Sequence, residues 1–210
     1  MKKTILTLSA LALMAGCNKA PANNVAEANT AAPANQTASA DPAPAENAQQ
    51  TGLPDGLACV RNRLTPEQRQ GVAAAAMEQA SREDPRAQAL IQAADACGDE
   101  SNWSPQKRQL AVAFSMSAAG TSGLRDLLGS RGVNLEELDR IILSDQELMA
   151  AAQSGQLGTA GQAFAARHDA ELEQIAGGRE IDRETGMRIG NYIAFRAAAA
   201  AIGDRFQREP

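Results

Sequence analysis

Apolar residues recur at intervals of three and four through most of the chain after Leu64, the pattern of helices that each bury one face. Thr65, followed by Pro66 and by Gln68, forms a capping-box start, and the first predicted helix runs to about Arg82 with Val72, Ala75, Ala76 and Ala80 as a stripe of small residues. A second helix opens at Asp84 and Pro85, turns Leu90, Ile91 and Ala94 to one side, and is expected to end before Gly98. The third begins at Ser104 and Pro105, faces Leu110, Ala113, Phe114 and Ser117 inward and should stop near Gly120, with a short helix through Leu124, Leu127 and Leu128 after it. Asn134 with Glu137 caps a helix whose apolar face is Leu135, Leu138, Ile141 and Ile142, and Ser144 with Glu147 caps a short one carrying Leu148 and Met149. Gly155 to Gly161 reads as a loop, and Thr159 with Gln162 opens a helix to about Ala176. The last helix spans about Asp182 to Phe206, where Gly190, Ala194, Ala197 and Ala201 form a stripe that admits another helix at close range.

No run of β-branched residues has strand length. The expected fold is therefore all-α, a compact bundle of about six to seven helices occupying residues 53–210.

The first quarter of the chain is built differently. Lys2 and Lys3 precede an apolar run, Ile5 to Ala15, that is too short to cross about 30 Å of hydrocarbon. The run ends in Leu13-Met14-Ala15-Gly16-Cys17, which resembles the lipobox of bacterial lipoproteins, with Met14 where these sites more often carry Leu. That resemblance implies a signal peptide over 1–16, lipidation of Cys17 as the mature N-terminus, and a membrane partner reached through that lipid. Asn18 in place of Asp after the cysteine inclines the expected location to the outer membrane, facing the periplasm. From Cys17 to Gly52 the chain is rich in Ala, Pro, Asn, Gln and Thr with hardly a large apolar side chain, so it is expected to be a disordered tether with a reach of about 30 Å.

Charge and composition narrow the functional classes. Of 20 basic and 25 acidic residues, three of each sign precede residue 53, which leaves 17 against 22 in the helical region. A mildly acidic domain has no electrostatic footprint for a phosphodiester backbone, and nucleic acid is set aside. Aromatic residues make up only 3% of the chain, which counts against a cleft that stacks sugars.

With Cys17 assigned to lipid, Cys59 and Cys97 remain, at ends of the first two predicted helices that meet in an antiparallel hairpin. An oxidising compartment then favours a structural disulfide; two buried thiols or a redox pair are the alternatives, although no Cys-x-x-Cys is present. A repeat is also visible: Leu64 to Gln70 aligns with Trp103 to Gln109, and Met77 with Met116, at an offset of 39 residues. Shared ancestry and shared helix-start grammar both account for it.

His168 is the single histidine, with Phe164, Leu172 and Ile175 on its side of the predicted helix and Glu171 within one turn. Such a pair suits a general base oriented by a carboxylate; it equally suits an interfacial histidine beside a solvated glutamate. No serine elbow, second histidine or paired-carboxylate motif accompanies it, so the plainer reading is preferred. One histidine and two cysteines cannot build the common zinc sites unaided, and no metal or cofactor is expected. Trp103, Arg69 and Arg108 are weak candidates for partner contacts. The expectation overall is a lipid-anchored helical module that binds an envelope protein or lipid, with an envelope hydrolase centred on His168 and Glu171 as the alternative.

Overall fold

The computed structural model describes residues 53–54, 56–178 and 181–210. The signal, lipobox and tether assignments lie outside the described residues. Within them the protein is all-α, with nine helices and no strand: α1 (Leu57–Arg63), α2 (Pro66–Met77), α3 (Pro85–Ser101), α4 (Pro105–Gly129), α5 (Leu135–Ser144), α6 (Gln146–Ser154), α7 (Leu157–Arg167), α8 (Asp169–Ile175) and α9 (Arg183–Arg208).

α4 and α9 form an antiparallel pair that the other helices pack around. Lys107 and Ser104 meet Glu209 at one end, Phe114 meets Gly203, Gly120 meets Phe195, and Arg131 meets Thr185 at the other. The close approach to α4 is made by Phe195 and Gly203, on the other side of α9 from the predicted stripe Gly190, Ala194, Ala197 and Ala201, which is nevertheless buried. Fourteen of the 26 residues of α9 are buried, which makes it the central helix. Around one end of the pair, α1, α2 and α3 build a core from Leu57, Val60, Val72, Leu90, Cys97 and Trp103, closed by Phe206 of α9. Around the other, α5 to α8 contribute Leu138, Ile141, Ile142, Leu148, Phe164 and Leu172 against Tyr192 and Ile193.

The predicted helix starts hold where a side chain supplies the orphan N–H acceptor. Thr65 and Gln68 close a reciprocal capping box; Asp84, Ser104, Asn134 and Asp182 accept from Arg86, Lys107, Glu137 and Thr185 respectively. One start differs. Ser144 is the last residue of α5 and its hydroxyl bonds back to Ile141, while Asp145 accepts the Leu148 N–H at 2.8 Å and caps α6.

The helix ends depart further from expectation. α2 stops at Met77, not Arg82, because Gln79 takes the left-handed conformation at φ 54° and Ala80 N–H bonds back to the Ala75 carbonyl. α3 continues through Gly98 to Ser101, and α4 passes Gly120 without interruption to Gly129. Both glycines are sites of close approach: a Cβ at Gly98 would sit 2.6 to 2.9 Å from Arg108 side-chain atoms, and one at Gly120 would sit 2.9 to 3.0 Å from the Phe195 ring. The predicted loop from Gly155 to Gly161 is helical from Leu157, which buries its side chain in the core. The helix expected from Thr159 to Ala176 is broken at His168, whose φ of −107° and ψ of 20° separate α7 from α8. A short helix, α1, precedes the first predicted one.

Cys59 and Cys97 form a disulfide with Cα atoms 6.1 Å apart, joining α1 to the end of α3. Cys97 is fully buried.

Candidate functional site

His168 sits where two helix junctions meet. Asp145 ends α5 and starts α6; His168 ends α7 and starts α8. Asp145 Oδ1 accepts the Leu148 N–H, as an N-cap does, and its two oxygens also take the Arg167 guanidinium at 2.9 and 2.7 Å. Oδ2 meets His168 Nε2 at 3.1 Å, while Glu171 Oε2 contacts Nδ1 on the opposite edge of the ring. Arg167 reaches Glu147 with its remaining arm at 2.7 Å. The Phe164 ring, fully buried, packs on the imidazole with centroids 4.5 Å apart.

The Asp145 side chain is only 6% exposed, and burial pushes its carboxyl up. The Leu148 N–H, the Arg167 guanidinium and His168 together outweigh that, and the group titrates below the ordinary aspartate range. A carboxyl depressed by folding contributes stability above its unfolded pKa, near 3.9, and loses it as pH falls through the folded value. Asp145→Asn retains the cap acceptor and removes the charge. The variant is expected to be about 2 kcal/mol less stable than the parent at pH 7, with the gap closing towards pH 3, in urea unfolding at both pH values.

The chemistry open to His168 follows from its two contacts. Both are N–H donations only in the doubly protonated ring; in the neutral ring one nitrogen faces a carboxylate without a proton to give. Each ring nitrogen faces a carboxylate at contact distance, and neither is directed at a vacant substrate position. The arrangement ties the α5–α6 corner to the α7–α8 corner. Asp145 and Glu171 also hold opposite edges of the ring, and no group of three His, Cys, Asp or Glu among the described residues could hold a metal ion. A cleft of about 350 Å³ is lined by Ser130, Arg131, Val133, Ala176, Ile181, Asp182 and Thr185, none of them in this cluster.

The other sequence candidates are engaged within the fold. Trp103 is 9% exposed and packs edge-on against Phe206 with centroids 5.1 Å apart, filling the space beside Gly56. Arg69 Nη1 donates to the Leu64 carbonyl at 2.9 Å, and Arg108 Nε to the Trp103 carbonyl at 3.3 Å. These are equivalent positions of the 39-residue repeat, and each arginine reaches back five residues to brace its own helix start. Arg108 also bonds the Asp95 carbonyl and Asp99 across Gly98.

A second polar cluster, not singled out in the sequence, lies across α4, α5 and α9. Tyr192 is fully buried, and its hydroxyl donates to Asp139 Oδ1 at 2.8 Å. Arg125 Nη2 donates to Asp139 Oδ2 at 2.5 Å and to the Tyr192 oxygen at 2.9 Å, and Arg196 Nε meets Asp139 Oδ1 at 3.2 Å. Burial and the hydrogen bond to Asp139 push the Tyr192 phenol well above its usual range.

No protein-family model, curated protein or solved structure matches this chain.

Proposed function

We propose that this chain is a lipid-anchored helical module of the bacterial envelope, held at the membrane by Cys17 and binding another envelope component, protein or lipid, through its helical domain. The observation that carries this reading is the Cys59–Cys97 disulfide joined to the lipobox-like Leu13 to Cys17 segment. Disulfides persist in oxidising compartments, and the signal-like segment supplies a route to one. A binding role is favoured over hydrolysis because both nitrogens of the single histidine are held by carboxylates.

Cell fractionation tests the anchor. Cys17→Ser is expected to lose acylation and leave the outer-membrane fraction; a variant that stays acylated and membrane-bound overturns the assignment. Crosslinking in living cells with the anchored protein as bait then tests the binding role, the expected result being one reproducible envelope partner. His168→Ala should leave that capture intact, whereas a lost enzymatic activity would favour the hydrolase.

A further inference from the structure

Most arginines of this acidic domain meet carboxylates at least one for one. Asp84 and Glu78 share Arg86, Asp145 and Glu147 share Arg167, and Asp182 and Glu184 between them serve Arg131 and Arg188. The ratio is inverted at Asp139, where one carboxylate serves both Arg125 and Arg196. The group carries a net charge of +1.

Each guanidinium is held through a single nitrogen: Nη2 of Arg125 and Nε of Arg196. A guanidinium has five N–H donors, so most remain unused at both residues. No buried side-chain nitrogen or oxygen among the described residues lacks a partner, so the unused donors are open to solvent. The two side chains are 40% and 27% exposed. Arg125 takes Oδ2 and Arg196 takes Oδ1 of the same carboxylate, so the two guanidinia are neighbours.

The support beneath them is more than packing requires. A phenylalanine at position 192 would fill nearly the same space without a hydroxyl to satisfy, yet that hydroxyl is buried and spent on orienting Asp139. Asp139 in turn fixes two long side chains that would otherwise be free on the surface. Holding arginines rigid before a ligand arrives is how a binding site avoids their ordering cost later.

The net charge and the number of unused donors point to an anion with several acceptor oxygens. The carboxylate of Asp139 already takes one donor from each arginine, and a tetrahedral phosphate, whose oxygens do not share a single plane, can take the remaining donors of both at once. A singly charged phosphate group would bring the cluster to neutrality. We infer that Arg125 and Arg196 form a site for a phosphate group, free or esterified in a lipid headgroup, with Asp139 and Tyr192 as the residues that position them. This site stands independently of the Cys17 anchor.

The test uses the full chain in nonionic detergent, with the arginine Nε–Hε signals followed by NMR. Inorganic phosphate replaces chloride at constant ionic strength, and the soluble phosphodiester glycerophosphoglycerol is titrated in parallel. The Arg125 and Arg196 signals should shift saturably with a midpoint of about 1–10 mM. Arg196→Gln and Arg125→Gln should each weaken binding about tenfold or more with the helical fold retained by circular dichroism, while Arg205→Gln, an equal charge change further along α9, should not. Binding of the diester supports an esterified headgroup, and binding of inorganic phosphate alone supports a free phosphate compound. Shifts that do not saturate by about 100 mM, or that are the same in all three variants, overturn the proposal.

Discussion

Replacing both Cys59 and Cys97 with alanine is expected to lower the unfolding free energy by about 4 kcal/mol. The bridge closes a loop between residues 38 apart, and a loop of that size removes roughly this much entropy from the unfolded chain in the loop-closure model. A domain of this size is held by about 5–15 kcal/mol in total, so the loss takes a large share of it. Alanine is the better probe than serine at Cys97, because that side chain is wholly enclosed and a new hydroxyl there would have to find a partner. Urea unfolding of the double variant against the oxidised parent measures the difference. A change below about 1 kcal/mol would mean that the unfolded chain already keeps these two ends together.

Gly120→Val is expected to cost about 3 kcal/mol, at the upper end for overpacking, even though valine suits a helix interior better than glycine. The added carbon would overlap the Phe195 ring, and neither α4 nor α9 can withdraw without disturbing packing along both. Pairing Gly120→Val with Phe195→Leu should restore part of the loss, and a thermodynamic cycle over the two positions isolates the contact. Thermal melting of the four proteins reads it. Additive effects would show that the cost arises elsewhere.

Legibility in the sequence follows how local each signal is. Helix starts are written in one to four consecutive residues, so Thr65, Asp84, Ser104, Asn134 and Asp182 could be found without a structure. The α5 face was equally plain, since Leu135, Leu138, Ile141 and Ile142 all fall on its buried side. Glycine carries two meanings, a stop or a socket, and only the partner chain segment tells them apart. At Gly98 and Gly120 that partner is Arg108 or Phe195, which spacing along one helix cannot reveal. Gln79 ended a helix in a conformation that its side chain does not advertise.

The same limit applies to the polar clusters. His168 and Glu171 are three residues apart, and their contact was visible in the pattern. Asp145 lies 23 positions from His168, and Asp139 and Tyr192 are separated by 53. Such pairs exist only once the helices have assembled. Asp145 still had one local sign, since an aspartate three residues before Leu148 is a good cap in its own right.

The antiparallel course of α4 and α9 also sets where the domain can be handled. Pro54, at the entrance to the helical body, lies 3.4 Å from the position a Cβ would take at Gly203, and Glu209 returns to Ser104 at the same end. Entry and exit of the chain thus share one pole, and α9 carries the structure about 39 Å away from it. A fluorophore or affinity handle fused after Pro210 would sit beside the entrance, leaving the pole built by α5 to α8 uncovered. A circularly permuted helical domain is equally feasible, with a short linker joining Pro210 to Leu53 and a new opening at Gly155, where an added Cβ would meet nothing within 4 Å.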